Sequence, residues 1–212
     1  MIYNVRTFIA RASAPPVEAR GASDDPSNAK VSAMSSNNYR LYEGKIPTIA
    51  RELVDALLDK EALEIEPTDI KEVELDAEAV LREYLRMDRE LMNEAKAIVD
   101  RRGMPYGEAF KQKRRLAKQK QFKLGEESID YLAQQLIEAF YHTNFVEEVF
   151  EDDNGLRRII APVLKRHMIG VEQQLESKVR SQLKNIQEGS AAWDVEYERA
   201  MGNLKRKQNL ED

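Results

Sequence analysis

The 212-residue chain has 33 Lys and Arg against 38 Asp and Glu, a formal net charge of -5 and a pI near 5.4, so attraction to nucleic acid or anionic lipid must come from a local patch if at all. It has no cysteine, which excludes disulfides, thiolate metal sites and cysteine nucleophiles and makes a reducing cytoplasm the expected location. With 42% hydrophobic and 33% charged residues and a mean hydropathy of -0.62, it reads as a soluble helical protein with coiled-coil character, and no apolar run approaches the roughly 20 residues that span a bilayer.

Arg6 and Arg11 interrupt the apolar start where a signal peptide needs an unbroken run. Residues 1–38 are rich in Ala, Ser, Pro, Asn and Asp without apolar periodicity, which predicts a disordered tail. Everything that reads as folded begins after Met34. Residues 1–33 are therefore either a functional tail or lie upstream of a true start at Met34.

From Lys45 the period becomes helical. Ile46, Ile49, Ala50, Leu53, Val54 and Leu57 line one face, and Pro47 falls in the first turn, where no donor is needed. In "ALEIEPTDIKEVELD", Leu63 and Ile65, then Val73 and Leu75, alternate with acids around Pro67, which predicts short extended pieces or a turn. A long helix is expected from an Asp76 N-cap, through Val80, Tyr84, Met87, Leu91, Ala95 and Ile98, to a stop at Gly103 and Pro105. A further helix covers "YGEAFKQKRRLAKQKQ".

The pattern then recurs. Ile129, Leu132, Ala133, Leu136, Ile137 and Ala139 stand 83 residues after Ile46, Ile49, Ala50, Leu53, Val54 and Ala56. Val171, Leu175 and Val179 stand 84 after Met87, Leu91 and Ala95, and Trp193 and Tyr197 stand 87 after Tyr106 and Phe110. The expected organisation is a tandem repeat of about 84 residues, 39–123 and 124–212, joined near residue 124.

Each unit ends in a basic helix, "FKQKRRLAKQK" and "NLKRKQ". Cations near a helix C-terminus are favoured by the macrodipole, but seven Lys and Arg without an acid between Phe110 and Lys123 exceed that reason. Lys111, Arg114, Arg115 and Lys118 share a face, Lys113 and Lys120 flank it, and Phe110, Leu116 or Ala117 and Phe122 are expected to pack inward. Three readings stand: a solvated face, a contact with the acidic segment Glu61–Glu78 of this or another chain, or a nucleic-acid contact tracking phosphates. No aromatic is placed for base stacking and no recognition-helix motif surrounds the stretch.

The segment "LRRIIAPVLKRHMIGVEQQLESKVRSQLKNIQEGSAAWDVEYERAMGNLKRK" resembles the bacterial family called Domain of Unknown Function 507. The resemblance is carried by "LESKVRSQLKNI" and by the box Glu188, Gly189, Ser190, Trp193, Asp194 and Tyr197. "RLYEGKIPTIARELVDALL" is similar to the family too but lacks the box, and the likeness covers nearly everything from Tyr39. It implies a helical bacterial cytoplasmic protein and brings no known activity. Where the family keeps tyrosine and acid pairs after the box, this chain has "ERAMGNLKRK". Physically, Gly189 suits a left-handed helix stop and Ser190 a cap, while Asp194 complements the first turn and Trp193 with Tyr197 makes an aromatic stripe.

Catalytic signatures are weak. His142 and His167, the two histidines, lie outside any spacing that aims two ligands at one metal. "EDDNG" fails as a calcium loop, because Gly155 as its sixth residue places Phe150 first and Ala161 last. Asp153 or Asn154 is the better account, as a helix cap. The glycines form no phosphate loop or nucleophile elbow, and the carboxylates are expected on solvent faces among Lys and Arg. The expectation is a protein that is not an enzyme, with no cofactor, metal or small-molecule ligand and no membrane contact. It is expected to bind another protein or its own copy; nucleic-acid or ribosome-associated binding through residues 111–123 is the competing expectation.

Overall fold

The structure, a computed structural model, describes residues 39–187, 191–208 and 210; the expectation of a disordered tail over 1–38 falls outside these. Seven α-helices and one two-stranded ladder occupy the described chain. They are α1 (Ile46–Asp59), β1 (Leu63–Glu64), α2 (Ile70–Arg101), α3 (Ala109–Gln119), α4 (Glu127–His142), β2 (Glu148–Val149), α5 (Asp153–Met168), α6 (Val171–Gln182) and α7 (Ala191–Lys207).

All six apolar positions of the α1 stripe are fully buried, because one helical face of that width must be covered to leave water. Four helices close a ring around this core: α1 packs on α2 and α5, and α4 packs on α2 and α5 in turn. Ile129, Leu132, Ala133, Leu136, Ile137 and Phe140 of α4 join the same cluster, as do Leu156, Ile160, Val163 and Leu164 of α5. The strands pair antiparallel across the end of the ring, Leu63 opposite Val149 and Glu64 opposite Glu148.

α2 begins at Ile70, six residues before the expected Asp76 cap, and Val73 and Leu75 are helical rather than extended. The physical reason lies in the acids between them. Val73, Ala77, Val80 and Leu81 form a buried helical stripe, and Glu74 and Glu78 sit inside its margin, 7% and 6% exposed. Those carboxylates are held by Lys71 at 2.8 Å and Arg82 at 2.7 Å, which makes their burial tolerable. The expectation that carboxylates keep to solvent faces fails at these two positions. Asp76 accepts a 2.6 Å hydrogen bond from Thr143 Oγ1 and so ties α2 to the end of α4.

At 32 residues α2 runs about 48 Å and outlasts its bundle partners. Beyond the ring, its Leu91, Ala95 and Val99 remain buried while α3 packs alongside the helix. Three helix ends use one device, a left-handed residue followed by an N–H returned to a carbonyl five residues back. Gly103 (φ 60) with Met104 N–H to Val99 O ends α2 as expected, but the left-handed residue is Glu61 (φ 52) after α1 and Gln121 (φ 56) after α3. In the second half the chain breaks between α5 and α6, where Ile169 is extended and Gly170 is left-handed (φ 73). There Tyr39 forms an isolated antiparallel bridge with Ile169, and Arg40 N–H donates to Met168 O at 2.9 Å. Asp152, not Asp153 or Asn154, caps α5 by accepting from Gly155 N–H at 2.7 Å; the extended backbone needed at a cap falls one residue earlier. α6 and α7 pack on each other over a small second cluster of Tyr42, Leu175 and Leu210 with Val171, Met201 and Leu204.

Candidate interaction surface

The basic helix α3 is positioned from both ends. Upstream, the Gly103 stop leads into a 3-10 turn over Tyr106–Glu108, closed by Glu108 N–H on Pro105 O. Along the helix Ala109, Gln112, Leu116 and Ala117 form the buried stripe facing α2. Downstream, Phe122 N–H donates to Ala117 O at 2.8 Å, and the Phe122 ring enters the core. It stacks on Tyr84 at 4.8 Å and meets Tyr131 edge-on at 5.7 Å, geometries that suit the ring quadrupoles. Tyr84 also donates its hydroxyl to Lys123 O at 3.1 Å. Burial raises the pKa of both phenols, Tyr84 strongly and Tyr131 to about 12.

This frame sorts the cations into two sets. Lys113 reaches Asp88 at 2.6 Å and Lys120 pairs with Glu94, both on α2, while Lys111 lies 3.4 Å from Glu108 and Lys123 2.8 Å from Glu127. Lys113 is the sheltered one, its side chain 14% exposed; pairs as open as the others contribute at most about 1 kcal/mol each. Arg114, Arg115 and Lys118 are exposed and have no carboxylate partner among the described residues. The intramolecular partners are thus Asp88, Glu94, Glu108 and Glu127, and not the acidic segment Glu61–Glu78, which lies beyond reach near the start of α2.

Phe110 corrects a second expectation. The inward stripe begins at Ala109, so the next residue is turned about 100° around the helix, and Phe110 is 58% exposed instead of packed. With Arg114 and Lys118 it makes one outward row at i, i+4 and i+8. The surface is therefore an open aromatic ring continued by unpaired cations.

The second proposed element is only partly described. Gly189 and Ser190, and the side chain of Asp194, lie outside the described residues. Trp193 and Tyr197 stack on each other at 4.6 Å with 21° between planes, and each is half-buried. The described α7 side chains that join the small buried cluster are Met201 and Leu204, one and two turns further along.

His142 ends α4 with Nδ1 2.8 Å from Glu138 O. His167 was indistinct in the sequence and holds a specific place: its Nε2 and the Arg166 guanidinium both lie 2.9 Å from Glu52 Oε2, which pins α5 to α1. A partner 115 residues away leaves no local pattern to read. Among the described residues no group of three or more His, Cys, Asp or Glu is disposed to hold a metal ion, and no helix is long and apolar enough to cross a membrane.

Comparison with curated proteins finds no match. The model of the family described as "Protein of unknown function (DUF507)" matches residues 39–210, from the bridge at Tyr39 to the buried Leu210 and so across the whole helical assembly. The chain belongs to the DUF507 family.

Proposed function

We propose that the protein is a non-catalytic helical adaptor or scaffold of the cytoplasm, binding another protein or its own copy through α3. The observation that carries this reading is the unpaired row on that helix. Arg114, Arg115 and Lys118 stand free beside exposed Phe110, while Lys111, Lys113 and Lys120 are engaged within the molecule. An exposed aromatic ring flanked by arginine is the composition of protein contact centres, where Arg and aromatic residues are enriched. Affinity capture from cells tests it: a co-purifying protein should disappear when Arg114→Glu and Arg115→Glu are introduced together. Identical captures from the two proteins would refute it.

The same free cations favour a second reading, a nucleic-acid or ribosome-associated protein. Each phosphate neutralised adds nearly one unit to the slope of log affinity on log salt. A titration against generic RNA separates the two: affinity at low salt that the double reversal abolishes supports the second reading, and no affinity removes it.

We further infer that the two halves descend from one helical unit copied in tandem, residues 39–123 and 124–212. Support comes from the order helix, short strand, helix, which opens both halves, and from the helix ending in Lys and Arg that closes each of them. The two strands pair antiparallel with each other, and each half's first helix packs on the other half's long one, α1 on α5 and α4 on α2. This symmetric packing, in which each first helix also rests on the helix after the strand of its own half, suits two related units about a two-fold axis. In the second half the long helix is interrupted at Gly170.

A further inference from the structure

Among the surface charges that the internal ion pairs leave over, two groups of opposite sign each surround an exposed phenylalanine. On α2, Glu74, Glu78, Glu83, Asp88 and Glu94 are used at home, each facing a lysine or arginine of this chain. The strand end of the bundle differs. Glu64 and Glu148 stand directly opposite each other across the ladder, both exposed, a like-charge pairing that destabilises a sheet. Glu147 is fixed beside them through its N–H on Glu64 O at 2.9 Å, and the Glu151 carboxylate folds over Gly155 at the start of α5. Among the described residues none of these four acids has a cationic partner. In their midst Phe150 is 56% exposed, anchored by its N–H on Ala62 O at 3.0 Å.

The two surfaces match in kind: an open phenylalanine with unpaired cations on α3, and an open phenylalanine with unpaired acids at the strands. They cannot meet within one molecule. Thr143, just before β2, is bonded to Asp76 of α2, whereas α3 is pinned at Asp88, a separation of about 18 Å along the helix.

We propose that α3 of one molecule docks on the strand end of a second copy of this chain, with Arg114, Arg115 and Lys118 against Glu64, Glu148 and Glu151 and both phenylalanines covered in the junction. The inference rests on the reading of α3 as a protein contact surface and adds its partner. Because different patches meet, the contact is heterologous, so a joined pair keeps one free patch of each sign and assembly continues head to tail unless a ring closes.

Sedimentation velocity on nuclease-treated protein tests this at about 50 mM and about 500 mM salt, conditions between which surface attraction is largely screened. The wild type should show species larger than a monomer at low salt that revert at high salt. Arg114→Glu with Arg115→Glu should weaken self-association by more than about tenfold, and so should Glu148→Arg with Glu151→Arg; unchanged circular dichroism shows that both variants fold. Mixed in equal amounts, the two variants should associate again, because the intact α3 of one faces the intact strand end of the other and the two reversed patches are also opposite in charge. A wild type that stays monomeric at low salt overturns the proposal, as does a mixture that stays monomeric or an association lost on nuclease treatment. A monomeric wild type whose α3 still captures a different protein would end this inference and leave the adaptor reading standing; binding only to RNA would end both.

Discussion

Replacing Phe122 by alanine should be the most damaging single change in the frame that holds α3. The ring is 4% exposed, stacked on Tyr84 at 4.8 Å and edge-on to Tyr131 at 5.7 Å. Truncating a buried phenylalanine costs about 3–5 kcal/mol, the sum of lost transfer energy and the cavity left behind. The two aromatic contacts, at about 0.5–1.5 kcal/mol each, belong to that total and place this site in its upper half. Phe122→Leu keeps most of the volume and forfeits chiefly the ring contacts, so it should cost about 1–2 kcal/mol. Urea unfolding followed by circular dichroism measures both, with the midpoint falling and the slope unchanged if the native state keeps its compactness. A loss below about 1 kcal/mol for Phe122→Ala would refute the claim that this ring locks α3 and the following connector onto α2.

Three further outcomes follow from local geometry. Gln121→Gly should stabilise the protein by up to about 1 kcal/mol, because Gln121 bears a side chain in the left-handed region (φ 56) while Gly does not suffer that clash; a destabilisation in thermal unfolding would contradict it. Asp152→Ala should cost about 1 kcal/mol through loss of its hydrogen bond from Gly155 N–H, with Asp152→Asn recovering most of it. The alkaline limb carries a sign fixed by Tyr131, whose pKa is raised from 10.0 to about 12 by burial and then by the Glu138 charge. A raised folded pKa means stability is fully present below pH 10 and is lost as pH climbs from 10 toward 12. Phenolate absorbance should accordingly show late-titrating tyrosines, Tyr84 and Tyr131 among them, that appear together with unfolding, and free titration near pH 10 by all tyrosines would contradict the buried cluster.

Where the sequence was legible, one helix face met one core. Ile46 to Leu57 could be read because apolar residues recur at helical spacing with no competing signal, and all six are buried. The stop at Gly103 was legible because glycine announces a left-handed residue, whereas Glu61 and Gln121 hold the same conformation without announcing it. The start of α2 was misread because Glu74 and Glu78 looked like solvent positions; their burial depends on Lys71 and Arg82, and an alternation of acid and aliphatic imitates a strand. Phe110 was misplaced by a single position, since Ala109 gives no hint that it opens the buried stripe. The partition of the α3 cations was beyond reach, because Asp88 and Glu94, which take Lys113 and Lys120, lie 25 or more residues upstream and only the folded hairpin brings them near.

The most direct test of α3 as a protein contact surface is a photoreactive phenylalanine analogue in place of Phe110, activated in living cells, with the adduct identified by mass. The ring is open to solvent beside Arg114 and Lys118, so the probe would sit where a partner must approach. The account predicts a discrete covalent adduct to a protein, abolished by Arg114→Glu with Arg115→Glu. Adducts to RNA alone, or none at any exposure, would contradict it.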